Sequence, residues 1–110
     1  MRSLCYVVSM GIAAMAASAQ PSAAADYRVR IINKTNYPMI GFQASNTKRT
    51  SWEEDMLGKD IVQPGGSFVA NINDGTGSCM FDLRATFKGN KQAIRKNINV
   101  CKITSWTINN

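Results

Sequence analysis

The chain has 110 residues, with thirteen Lys and Arg against seven Asp and Glu, a net charge of +6, and no histidine. The missing imidazole excludes Ser-His-Asp and Cys-His nucleophile arrangements and any His-ligated zinc site. The length allows one small domain, of a size that buries limited apolar surface and commonly relies on a covalent staple.

Residues 1–25 read as a cleaved secretory signal, leaving residues 26–110 as a single domain. Arg2 supplies the positive start, Leu4 to Ala17 is an uncharged apolar run, and small-residue cleavage sequences follow at Ala17-Ser18-Ala19 and Ala23-Ala24-Ala25. The apolar run is shorter than the about 20 residues that a spanning helix needs, so no transmembrane anchor is expected after cleavage. Cys5 has no lipobox around it and leaves with the signal. The expected location is periplasmic or secreted.

From Tyr27 the pattern is strand, turn, strand. Tyr27, Val29 and Ile31 alternate with Arg28 and Arg30, the period of a half-buried strand. Asn33-Lys34-Thr35-Asn36 forms a turn cluster, and Asn33-Lys34-Thr35 is also a formal glycosylation sequon. A second strand is predicted over Met39 to Ala44. Ser51 to Leu57 is predicted as a short helix: Ser51 can cap it, Glu54 can reach back, and Gly58 can end it. In that helix the acids Glu53, Glu54 and Asp55 fan out by about 100° per residue and serve a first turn, not a metal or a catalytic pair.

Asp60 to Gln63 is predicted as a brief strand, Pro64-Gly65-Gly66 as a tight turn, and Phe68, Ala70 and Ile72 as one face of the next strand. After the turn residues Asn73 to Gly77 comes the clearest alternation. Cys79, Phe81, Leu83, Ala85 and Phe87 point one way; Met80, Asp82, Arg84, Thr86 and Lys88 point the other. A hairpin turn at Gly89-Asn90 returns the chain through Ala93 to Cys101, and Lys102 to Ile108 completes it. These elements predict an all-β fold: a small antiparallel β-sandwich or barrel of about seven strands with one short helix. Cys79 and Cys101, brought together by that hairpin, are expected to form one disulfide. A two-thiol metal or redox site would need a C-x-x-C pair that the chain lacks.

The order Trp52-Glu53-Glu54-Asp55, Leu57-Gly58, Pro64-Gly65, Asp74-Gly75 before Cys79, Phe81-Asp82 and Asn99-Val100-Cys101 resembles small exported proteins of Gram-negative bacteria. The resemblance extends over roughly Val29 to Trp106 and implies export and this fold class. Some short members carry the label argininosuccinate lyase. That enzyme family is large, helical and oligomeric, and nothing in this β-patterned chain matches it, so no functional residue is carried over.

The leading expectation is an exported, non-enzymatic binding module whose contacts centre on Trp52, Met80, Asp82 and Arg84. A second is a small hydrolase or lyase using Asp74 and Asp82, which would require two acids converging at about 5–10 Å. A third is an envelope-associated structural protein held to anionic surfaces by the cluster from Lys88 to Lys96. Partners are accordingly an unidentified protein or an anionic envelope component. Nucleic acid is not expected, because no binding motif is present. Asn73 and Asp74, with Asp82, are the only calcium candidates. The segment Asn71 to Gly75 lacks the full acidic register and downstream Glu of a calcium loop, and a turn favours the same residues, so no metal or cofactor is assigned.

Overall fold

The computed structural model describes residues 25–110; the signal expected over residues 1–25 lies, apart from Ala25, outside the described residues. Six strands form in chain order: β1 (Arg28–Lys34), β2 (Met39–Asn46), β3 (Ser67–Asn71), β4 (Met80–Phe87), β5 (Lys91–Asn99) and β6 (Ser105–Asn109). They make two three-stranded sheets, β3-β1-β6 and β2-β4-β5. The second sheet is antiparallel throughout. The first is mixed, because β6 pairs with β1 in parallel.

The inward residues of the two sheets form one core. Val29, Ile31, Ala70, Trp106 and Ile108 of the first sheet are buried with Met39, Phe42, Phe81, Leu83, Ala85 and Phe87 of the second. Phe42 meets Phe68 across the layers edge-to-face, with ring centroids 5.5 Å apart. Each large apolar side chain so buried contributes about 1.5–3 kcal/mol. At the base of the β4–β5 hairpin Cys79 and Cys101 are disulfide-bonded, their Cα atoms 5.5 Å apart. The hairpin loop places Gly89 and Asn90 at φ of 88° and 62°, backbone that glycine and asparagine tolerate best. Among the described residues no helix is long and apolar enough to cross a membrane.

Three expectations are corrected. The stretch Asp60 to Gln63 is not a seventh strand; it contributes one bridge, between Val62 and Met39. The sandwich is not wholly antiparallel, for the reason given above. Ser51 to Leu57 is not a helix but runs irregularly along the outer edge of β2. There the Ser45 hydroxyl donates to the Ser51 carbonyl at 2.9 Å and accepts from the Glu53 amide at 3.0 Å. The Asp55 carboxylate accepts from the Phe42 and Leu57 amides at 2.8 and 2.9 Å, and the Met56 amide donates to the Phe42 carbonyl at 2.7 Å. A helix of two turns stands on a costly nucleus, whereas β2 presents unpaired backbone groups that need partners. The residues that resemble a helix cap serve the strand edge instead.

Asn33 lies at the end of β1 in the interior, not in an exposed turn, with no surface accessible to solvent. Its Nδ2 donates to the carbonyls of Tyr37 at 2.8 Å and Val62 at 3.0 Å, while its Oδ1 accepts from the Thr35 amide and hydroxyl at 3.0 and 2.7 Å. A glycan on that nitrogen would take the place of one of its two donor bonds and would have no room at a position without solvent contact, so the sequon is sterically closed in the folded domain.

Candidate functional site

The outer face of the β2-β4-β5 sheet collects most of the chemistry. Alternation along β4 turns Met80, Asp82, Arg84 and Thr86 outward, and the strand register sets Gln43, Arg84 and Ile94 in one row across the sheet. Trp52 reaches this face from the segment beside β2, and the Arg84 guanidinium lies over its ring at 4.5 Å from the centroid. Arg84 Nε donates to Gln43 Oε1 at 2.9 Å. Stacked on one side and hydrogen-bonded at Nε, the guanidinium is held in place, while its terminal nitrogens have no hydrogen-bond partner among the described residues. Beside it Ile40 and Ile94 are exposed at 40% and 47%, and Met80, exposed at 38%, lies four residues away along β4 on the same face.

Asp82 takes a different part. The β4–β5 register shifts between Phe81 and Leu83, so two β5 residues oppose one on β4, and Asn97 in the bulge has φ of 56°. The Asp82 carboxylate accepts the bulged Asn97 amide at 2.9 Å. It forms no ion pair with Arg84, its neighbour on the same face. Asp82 instead shares a hollow of about 120 Å³ with Trp52, Arg49 and Lys96. Thus Trp52 and Arg84 touch, while Met80 and Asp82 share their sheet face.

A second hollow, of about 230 Å³, lies on the other side of Arg84, lined by Ile40, Gly41, Gln43, Asp55, Arg84 and Thr86. Ile40, Gly41, Gln43 and Asp55 were not legible as site residues. Their relation to Arg84 depends on which strand pairs with β4 and on where the segment beside β2 lies, and neither has a local signal.

Asn73 and Asp74 are occupied as turn acceptors. Asn73 Oδ1 accepts from the Gly75 amide at 3.0 Å, and Asp74 Oδ1 accepts from the Thr76 amide at 3.1 Å and its hydroxyl at 2.6 Å. The Thr76 hydroxyl, against the opposing effect of burial and aided by the Thr76 backbone and Asn46, holds the Asp74 carboxyl below its ordinary range. No group of three or more His, Cys, Asp and Glu suited to a metal occurs among the described residues. None of four clefts among the described residues has two carboxylate side chains on its wall.

The basic cluster is also partly committed. Lys91 lies over Tyr37 at 4.9 Å and Arg95 over Trp106 at 5.9 Å, covering ring faces beside β5. A cleft of about 480 Å³ opens there, walled by Tyr37, Phe87, Lys91, Ala93 and Ile108 among others. Another cleft, of about 720 Å³, lies between residues 46–51 and 76–78 and is lined by hydroxyl, amide and basic side chains. No protein-family model, curated protein or solved structure matches the chain.

Proposed function

We propose that this protein is an exported, non-enzymatic binding module that engages its partner through the outer face of the β2-β4-β5 sheet. The observation that carries the reading is the Arg84 guanidinium, fixed by Trp52 and Gln43 with its terminal nitrogens unpartnered among the described residues, beside exposed Ile40 and Ile94 and on the same face as Met80. A planar fork whose position is already set loses little entropy when a carboxylate or phosphate docks on it. Apolar side chains around such a group supply the area that a contact surface needs. The partner class is a protein or an anionic envelope component. A carboxylate-dependent hydrolase fits less well, because Asp74 and Asp82 serve as turn and bulge acceptors.

The reading is tested in the exporting host with a photo-crosslinking residue at Ile94, against a control at Val69 on the first sheet, which is exposed at 48%. Adducts from position 94, absent from position 69 and lost in Arg84→Ala, are expected. Equal adducts from both positions, or none from position 94, would overturn it. The mature protein recovered in the same experiment is expected to begin near Asp26 with no alkylatable thiol; an intact start with free thiols would remove export from the reading.

A further inference from the structure

The hollow beside Arg84 holds two opposite charges that do not meet. Arg84 lines one wall, tied down by Gln43 and Trp52. Asp55 lines another, tied down through Oδ1 by the Phe42 and Leu57 amides. Its second oxygen, Oδ2, has no hydrogen-bond partner among the described residues, and no ion pair joins it to Arg84. Here Asp55 is anchored by the edge of β2 and Arg84 by Gln43 and Trp52, and no ion pair closes the gap between them.

The floor of that gap is Gly41. A methyl group there would lie 3.5 Å from Asp55 Oδ2 and 3.6 Å from Thr86 Cβ, ordinary contact distances, so it would take up space beside Asp55 Oδ2 without forcing the walls apart. The volume, about 230 Å³, falls below the about 300–1,000 Å³ of drug-sized sites, so its occupant is small. Exposed Ile40 supplies one apolar wall.

We infer that this hollow binds an apolar α-amino acid in its zwitterionic form, its carboxylate on the Arg84 fork, its ammonium on Asp55 Oδ2 and its side chain against Ile40. The inference rests on the reading of this sheet face as the binding surface and names a ligand class for one part of it. A carboxylate alone would face Asp55 and an amine alone would face Arg84, so recognition requires both charges on one small molecule. Because the walls are solvated, binding weakens with salt.

The experiment is a nitrogen-15 NMR titration of the oxidised mature protein at low salt with L- and D-leucine, N-acetyl-leucine and leucinamide. Leucine of either hand is expected to shift the Gly41, Gln43 and Thr86 amides, and the two derivatives that lack one charge are not. Arg84→Gln and Asp55→Asn should each weaken the response roughly tenfold, the scale of one lost charge-assisted hydrogen bond. The asparagine can still accept the Phe42 and Leu57 amides, so that variant keeps the local fold. Gly41→Ala, which crowds Asp55 Oδ2, should weaken the response with the remaining amide spectrum unchanged. No leucine shifts at these amides, or equal shifts with either derivative, would overturn the inference. Either result with adducts intact at position 94 would leave the binding face standing, whereas leucine shifts without adducts would leave the hollow and remove the larger partner.

Discussion

Asn33 stands at the most demanding position in the domain, because it satisfies four polar groups from a site without solvent contact. Replacing it by alanine orphans the Thr35 amide, at about 1–3 kcal/mol, and takes one of two donors from the Tyr37 and Val62 carbonyls, which keep the Thr35 hydroxyl and the Met39 amide. Asn33→Ala is therefore expected to lose about 2–3 kcal/mol in urea denaturation, a large share of the about 5 kcal/mol at the lower end for small domains. Asp82 makes a smaller, separable contribution. Asp82→Ala removes the acceptor from the Asn97 amide, and Asp82→Asn retains it. The alanine variant should cost about 1–2 kcal/mol and the asparagine variant clearly less by the same measurement. At Asp74 the folded carboxyl titrates below its unfolded value, so its contribution is complete above about pH 3.9 and is lost as pH falls through the lowered value. The Thr76 amide resonance should move in that acidic window and stay fixed from neutral pH down to it; movement near neutrality would contradict the assignment.

Among the elements, the two outer strands of the second sheet are protected by different means. The edge of β2 is capped by the irregular segment that ends in Asp55, whose carboxylate replaces a strand partner for the Phe42 amide. Asp55→Ala is expected to accelerate hydrogen exchange at Phe42 and Leu57, with Asp55→Asn close to the parent. The outer edge of β5 has no strand partner among the described residues. Charge and irregularity protect it: Lys91, Arg95 and Lys96 lie along the strand, and a bulge interrupts it at Asn97. Lys91→Thr combined with Arg95→Thr should produce concentration-dependent association in sedimentation velocity, while an unchanged monomer would show that the bulge alone suffices. The helix pattern in Ser51 to Leu57 misleads for a related reason. Serine and acidic residues accept backbone amides equally well from a helix start or from a strand edge, and only the neighbouring strand decides between them.

At the scale of the whole molecule, the disulfide joins residues 22 apart in sequence across the mouth of one hairpin. Closing a loop of that size is worth about 3 kcal/mol in the chain-entropy model. Cys79→Ser with Cys101→Ser should lower stability by about that amount while the β4–β5 pairing survives in strand-specific hydrogen exchange. The bridge, the hairpin and β4 with its alternating faces were all determined by local pattern, because a period of two and a Gly-Asn turn are properties of adjacent residues. For the same reason Met80, Asp82 and Arg84 were legible as one face. Only the tertiary structure decided that β6 lies parallel to β1, that Asn33 turns into the core, that Asp82 serves a bulge, and that Trp52, Gln43 and Asp55 gather around Arg84. Those arrangements join residues far apart in the chain, and their geometry is set by which edges and polar groups remain unsatisfied once the strands have paired.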